Sequence, residues 1–170
     1  MRIQIIGHSG SGKSTLARRL AELYQIPCLH LDNIHFYGNW QERPNDEMAR
    51  LVHDFMQAHD RWVIDGNYPD VAPERFTQCD LTIFLDFSRF YCYRKCRERY
   101  LKNLGHAREC CPCEESFDFN FRRWILWDGR TRERRRQLEA AFYAAAGEKL
   151  LFRSNLELSR WLRNQKVKKV

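Results

Sequence analysis

The stretch IIGHSGSGKSTLARRL, residues 5–20, constrains this chain most. Gly7, Gly12, Lys13 and Ser14 fit G-x-x-x-x-G-K-[ST], the spacing of a phosphate-binding loop. Such a loop works only between a strand and a helix. Phosphate oxygens need several backbone N–H donors aimed at one point, with the positive end of a helix dipole behind them. The strand-like run RIQII precedes the motif, and Leu16, Leu20 and Leu23 follow it on one helical face. The loop therefore predicts nucleotide contacts from Gly7, Ser9, Gly10, Ser11, Gly12, Lys13, Ser14 and Thr15. Lys13 is expected at the β- and γ-phosphates and the Ser14 hydroxyl on Mg²⁺.

The rest of the chain alternates strand and helix. Strands are expected at 2–6, 26–31, 61–65, 81–87 and 149–153. Helices are expected at 13–24, 46–59, 88–103, 119–146 with a break near Asp128-Gly129, and from Asn155, read as an N-cap. Residues 32–44 read as an aromatic loop and 105–118 as irregular. Short apolar strands with helices between them imply an α/β fold, a parallel sheet covered on both faces.

At 170 residues the expectation is one domain over 1–170, with an acceptor-binding region at about 32–60 and a lid at about 94–118. Hydrophobic residues make up 44% and charged residues 30%, which excludes a disordered chain. No apolar run reaches the roughly 20 residues of a membrane span, and residues 1–6 lead straight into a strand. A cytoplasmic protein with no membrane partner is expected. The formal charge of +7 suits an anionic partner but does not choose between a nucleotide and a nucleic acid. No nucleic-acid recognition motif accompanies it, and the basic run RTRERRRQ (130–137) reads as a solvated helix face.

In open α/β sheets ligands gather at the carboxyl ends of the strands. Those ends carry Asp32 (HLDN), Asp65 with Gly66 and Asn67 (VIDGNY), and Asp86 (FLDF). One of the three is expected to hold Mg²⁺, directly or through water. Asp32 is assigned as a catalytic group that orients or deprotonates an acceptor hydroxyl. The alternative for each is a cap on the following turn. Trp40 and Arg43, on the segment after Asp32, are assigned to acceptor binding with Asp32, Gly66 and Asn67, Arg43 as a partner for a phosphate or carboxylate.

Phosphoryl transfer depends on positioning and neutralised charge. The Arg-rich helix and the segment after it read as a mobile lid, with Arg94, Arg99 and Arg108 assigned to the transferring phosphate beside Lys13. The seven cysteines suit free thiols better than a disulfide framework. Cys92 and Cys96 read as buried packing. A zinc site from His106, Cys110, Cys111 and Cys113 is disfavoured, because the cluster is too compressed to wrap a tetrahedron.

GHSGSGKSTLA, HLD with its aromatic loop, WVIDGNY, FLDFSRF, CPCE and FRRWILW together span nearly the whole chain. Through them it resembles the nucleoside monophosphate kinase-like P-loop proteins, which include adenylate, shikimate and gluconate kinases. More narrowly it resembles the adenylate kinase-like DNA topology modulation (FlaR-related) proteins. The resemblance implies a five-stranded parallel sheet ordered 2-3-1-4-5, a lid closing over ATP, Mg²⁺, and Asp65 near the metal. Where adenylate kinases carry Phe-Pro-Arg after this aspartate and glycine, this chain has Asn67-Tyr68-Pro69, a departure from an ordinary AMP site.

The expected function is an ATP- and Mg²⁺-dependent phosphotransferase acting on a nucleotide or a hydroxylated metabolite. The alternative is an ATP-binding regulatory protein associated with DNA topology.

Overall fold

A computed structural model describes residues 1–37, 40–104, 106–108 and 110–167, with the side chains of 107, 108, 166 and 167 left aside. Five parallel strands form the main sheet: β1 (Arg2–Gly7), β2 (Cys28–His30), β3 (Trp62–Asp65), β4 (Leu81–Leu85) and β7 (Glu148–Phe152). They lie in the order β2-β3-β1-β4-β7. Counting only strands of this sheet, that is the 2-3-1-4-5 arrangement.

The alternation of the strands decides which helix goes to which face. Ile3, Ile5, Val63, Ile83 and Leu85 join one core. It holds Leu16 and Leu20 of α1 (Lys13–Tyr24), Cys92 and Cys96 of α5 (Arg89–Lys102), Ile125 of α6 (Phe119–Leu126), and Leu158 and Leu162 of α8 (Asn155–Val167). Ile6, Trp62, Ile64 and Phe84 point the other way. Against them pack Met48, Val52 and Met56 of α3 (Asn45–Ala58), Phe76 of α4 (Glu74–Thr77), and Leu138 and Phe142 of α7 (Arg132–Ala144). Each fully buried Leu, Ile or Phe contributes about 1.5–3 kcal/mol. The doubly covered sheet explains why its central strands are buried along their whole length.

The helix ends follow from local chemistry. The Ser88 hydroxyl accepts from the Tyr91 N–H, and the Asp118 and Thr131 side chains accept from the N–H groups of Phe121 and Arg134. The Thr131 cap, with a short 3₁₀ turn at Asp128–Arg130, divides the expected 119–146 helix into α6 and α7. In α8 the cap is Ser154, whose hydroxyl accepts from the Glu157 N–H at 3.3 Å, so Asn155 is the first helical residue and not the cap.

Two regions differ from expectation. Leu31–His35 form a short helix, α2, and the chain after it turns back through a Phe36–Glu42 bridge. The irregular 105–118 segment contains an antiparallel hairpin, β5 (Ala107–Arg108) with β6 (Cys111–Glu114). The stretch expected to form a lid is therefore helix plus hairpin. All seven cysteines are free thiols. Among the described residues no helix is long and apolar enough to cross a membrane.

Gly147 leads into β7 at φ +68°, and a Cβ there would stand 2.2 Å from the Asp80 carbonyl oxygen. Gly147→Ala should therefore lower stability by roughly 2 kcal/mol, measured as a shifted urea midpoint with nucleotide affinity unchanged.

Candidate active site

Helix α1 starts without a side-chain cap. Its N-cap, Gly12, sits at φ 94°, ψ 19°, and no atom lies within 4 Å of where its Cβ would be. The first N–H groups of a helix lack intrahelical partners, so α1 offers donors to open space. The loop in front of it is tightly seated. A Cβ on Gly10 would fall 2.4 Å from the Cys92 carbonyl oxygen of α5, and Ser11 N–H donates to the His8 carbonyl at 3.0 Å. The Lys13 ammonium bends back across the loop to that same carbonyl at 3.3 Å.

Two side chains tie the loop to the sheet. Gly7 N–H donates to Asn67 Oδ1 at 3.0 Å. The His8 Nε2 stands 3.5 Å from Asp86 Oδ1, both nearly out of solvent, and Asp86 Oδ2 accepts from Arg135 of α7 at 3.0 Å. Burial keeps the His8 ring below its ordinary pKa despite the carboxylate. His8 and then Arg135 hold the Asp86 carboxyl below the usual range, against the effect of burial.

Asp65 ends β3 and is nearly buried. Its Oδ2 accepts the Ser14 hydroxyl at 2.9 Å, and its Oδ1 pairs with His30 Nδ1. Burial opposes a charged His30 ring, but hydrogen bonds to Asp65 and Cys28 outweigh it and push its pKa up to about 10. Asp32 is half-buried in α2, and its Oδ1 accepts the Tyr68 hydroxyl at 2.9 Å. Burial, then the Asp32 charge, drives the Tyr68 phenol far above its ordinary pKa, so it remains a donor.

The Asn67–Ala72 turn that delivers these two contacts is held from below by Arg75. This guanidinium is fully buried. It donates to Gln4 Oε1 at 3.0 Å, to Tyr68 O at 2.9 Å, to Ala72 O at 3.3 Å, and to the carbonyls of Asn67 and Val71. Tyr68 and Ala72 have φ of 30° and 47°, a conformation that needs such support.

Above the loop lies a cleft of about 1450 Å³. Residues 8–15, Asp32, Trp40, Asn67, Tyr68, Lys95, Arg99 and Lys102 all line it. The structure thus brings the phosphate loop, Asp32, Trp40 and Asn67 to one cavity. Other assignments fare differently. Arg43 does not line the cleft: it pairs with Glu47, donates to the Ile34 carbonyl at 2.6 Å and stacks over Tyr37 at 4.1 Å, so it braces the segment after α2. Gly66 packs on Leu31, which a Cβ would meet at 2.5 Å, and makes no wall of the cleft. Arg94 is exposed, 3.5 Å from Glu98, and does not reach the cleft. Arg99 reaches it but faces Glu115 at 2.9 Å. The Arg108 side chain lies outside the described residues. His106 is exposed and turned to the Leu104 carbonyl at 2.9 Å, away from any joint site with the lid cysteines. Cys113 instead accepts the Trp40 N–H at 3.2 Å, linking the hairpin to the segment after α2.

This donor set fits a nucleotide with Mg²⁺. A hard divalent ion takes oxygen ligands and keeps several waters, and Ser14 and Asp65 present a hydroxyl and a carboxylate oxygen 2.9 Å apart. The uncapped α1 terminus and the open space at Gly12 leave room for phosphate beside them.

No protein-family model matches the chain, and no curated protein matches it significantly. Among solved structures it is similar to shikimate kinase from Bacteroides thetaiotaomicron, with TM-score 0.56 and 18% identity over 100% of this chain and 99% of that one. It is also similar to an uncharacterized protein from Eubacterium ventriosum, with TM-score 0.51 and 15% identity over 100% of both. The chain shares the α/β fold of these proteins, a five-stranded parallel sheet flanked by helices. The likeness is one of fold, and the site is read from its own residues.

Residues that the sequence reading passed over are His30, Tyr68 and Arg75, together with the pairing of His8 through Asp86 to Arg135. His30 had a signal, lying two residues before Asp32 on a strand ending at the site. Arg75 had none, since a lone arginine in a short polar stretch reads as exposed.

Two predictions follow from these contacts. A carboxyl with a depressed folded pKa adds stability above its unfolded value, near 3.9, and loses it as pH falls through the folded pKa. Asp86→Asn should therefore be less stable than the parent at pH 7, with the gap closing below about pH 4; a gap unchanged at pH 3 would show that the charge is not responsible. Arg75→Met should cost about 3 kcal/mol, because it leaves the turn's carbonyls buried without a donor, read by urea unfolding.

Proposed function

We propose that the chain is an ATP-dependent phosphotransferase that uses Mg²⁺ and acts on a small acceptor, a nucleotide or a hydroxylated metabolite. One observation carries this reading: Lys13 and Ser14, whose hydroxyl is bonded to the nearly buried Asp65 carboxylate, line the same cleft as the carboxylate of Asp32. A switch or storage protein needs the first group only. A cleft with room for two ligands and a carboxylate on its acceptor side suits transfer between them.

In this reading the loop residues and the α1 N–H groups hold the triphosphate, and Lys13 leaves the His8 carbonyl to meet the phosphate oxygens. Ser14 and Asp65 hold Mg²⁺, which when bound neutralises charge on the β- and γ-oxygens. Asp32, fixed by Tyr68, receives or orients the acceptor, and Trp40 and Asn67 border it. Residues at about 32–60 then form the acceptor region and those at about 94–118 the lid, with Arg99, Lys95 and Lys102 its cations nearest the loop. Arg99 must exchange Glu115 for phosphate to take part.

The experiment is Mg²⁺-dependent ATP turnover against a panel of nucleoside monophosphates and hydroxylated metabolites. One compound should stimulate turnover, and Lys13→Ala should lower the stimulated rate by about 100-fold or more. Asp32→Asn should cost about 10²–10⁴-fold in kcat with binding retained if the acceptor is a hydroxyl, and far less if it is a phosphate. ATP binding without stimulation by any compound would favour the regulatory role that the resemblance to DNA topology modulation proteins brings. Salt-sensitive DNA binding is the mark of that role.

A further inference from the structure

On the far side of Asp65 from Ser14, three side chains of different chemistry converge. Cys28 and His30 are two apart on β2 and so point to the same face of the sheet. His30 is in register with Asp65 on β3, and Cys28 with Val63. The Cys28 Sγ is 3.9 Å from His30 Nε2, and the ligand atoms of Cys28, His30 and Asp65 lie within 4.8 Å of one another. Among the described residues no other three His, Cys, Asp or Glu side chains converge in this way. His30 and Asp65 are 10% and 4% exposed, whereas Cys28 is half-buried and borders a shallow groove with Ala21, Glu22, Gln25 and Ile26. The groove gives an ion a route to the thiol.

We propose that Cys28, His30 and Asp65 form a zinc site that shares its carboxylate with the Ser14 side of the cleft. A thiol, an imidazole and a carboxylate are zinc donors, and the ion takes the place of the hydrogen that joins His30 Nδ1 to Asp65 Oδ1, with the Cys28 thiol beside them. The two strands hold all three residues in place, so little ordering is needed on binding. The thiol selects a soft or borderline ion and rejects Mg²⁺, which keeps to oxygen. The two metals are thereby sorted to opposite oxygens of one carboxylate, Mg²⁺ to Oδ2 and zinc to Oδ1. When zinc binds, the thiol and the charged His30 ring each release a proton to solvent as the Zn–S and Zn–N bonds form, and a water completes the tetrahedron. Asp65 then answers to two cations. Zinc at Oδ1 takes charge from Oδ2 and turns the carboxylate away from Ser14, so zinc inhibits whatever Mg²⁺–nucleotide chemistry the cleft performs.

The test uses the full-length protein, stripped with a chelator, kept reduced with a phosphine and titrated with Co²⁺ as a spectroscopic probe. One equivalent should give a thiolate-to-cobalt charge-transfer band, which Zn²⁺ abolishes on displacing the cobalt. The band should be lost in Cys28→Ser and in His30→Gln, and kept in Cys111→Ser and Cys113→Ser. Circular dichroism checks the folding of each variant, and Cys28→Ala is a second substitution of the ligand. No band in the folded parent, or a band that survives Cys28→Ser and Cys28→Ala, overturns the proposal. The optical result stands apart from activity, so the site and the phosphotransferase reading fail separately. If turnover is measured, Zn²⁺ should inhibit the parent and spare Cys28→Ser, whose rate without zinc should equal the parent's. Equal inhibition of both would place zinc's action elsewhere and overturn the sharing of Asp65.

Discussion

The Asp65 carboxylate is the point from which the site is organised. A nearly buried negative charge is tolerated only when its oxygens are satisfied, and here each oxygen is satisfied by a different element. Oδ2 takes the Ser14 hydroxyl from the first turn of α1, and Oδ1 takes His30 from β2. A side chain on the central part of the sheet thus fixes both the helix that presents the phosphate-binding N–H groups and the strand that leads into Asp32. Burial of the surrounding residues serves this geometry. Ile64 beside it is fully buried, so β3 cannot shift to relieve a misplaced carboxylate.

Arg75 does the complementary work with the opposite charge. All five of its described acceptors are neutral oxygens, and burial pulls its pKa down. Against the cost of burying its charge stand the hydrogen bonds it gives to oxygens that would otherwise be buried without a donor. What it provides is shape: carbonyls of Asn67, Tyr68, Val71 and Ala72 are gathered onto one planar fork, which forces the turn into left-handed backbone at Tyr68 and Ala72. That turn places Asn67 on the Gly7 N–H and Tyr68 on Asp32. The two buried charges therefore divide the site, Asp65 ordering the phosphate side and Arg75 the acceptor side.

The phosphate loop, the sheet and the aspartates at its strand ends were legible in the sequence because each depends on residues close together along the chain. A motif of eight residues, runs of alternating or continuous apolar residues, and an Asp at or just after the end of three of those runs need no knowledge of partners. What escaped depends on pairs far apart. His8 reads as a loop residue until Asp86 and Arg135 are brought beside it, and Arg75 reads as solvated until five oxygens surround it. The short helix α2 was hidden by aromatic side chains that usually mark a loop, and β5 and β6 by strands too short for periodicity to register. Arg43 and Arg94 read as ligands for an anion because their carboxylate partners, Glu47 and Glu98 four residues on, do not show in a reading of charge alone.

The pairing of these arginines also changes what the +7 charge means for the cleft. Exposed pairs such as Arg94–Glu98 and Arg50–Asp46 contribute little to stability, but each cancels a charge that would otherwise act on an anion at a distance. At the cleft itself Lys95 pairs with Glu98 and Arg99 with Glu115, so the lid's cations reach the loop already neutralised in part. An anion bound on α1 must compete with those carboxylates for them. The hairpin carrying Cys113 is bonded to Trp40, and Glu115 follows it directly, so the carboxylate facing Arg99 sits next to the strand that touches the 32–44 segment. That contact adds to the Asn67–Gly7 and Tyr68–Asp32 hydrogen bonds, which join the same segment's surroundings to the loop through the sheet.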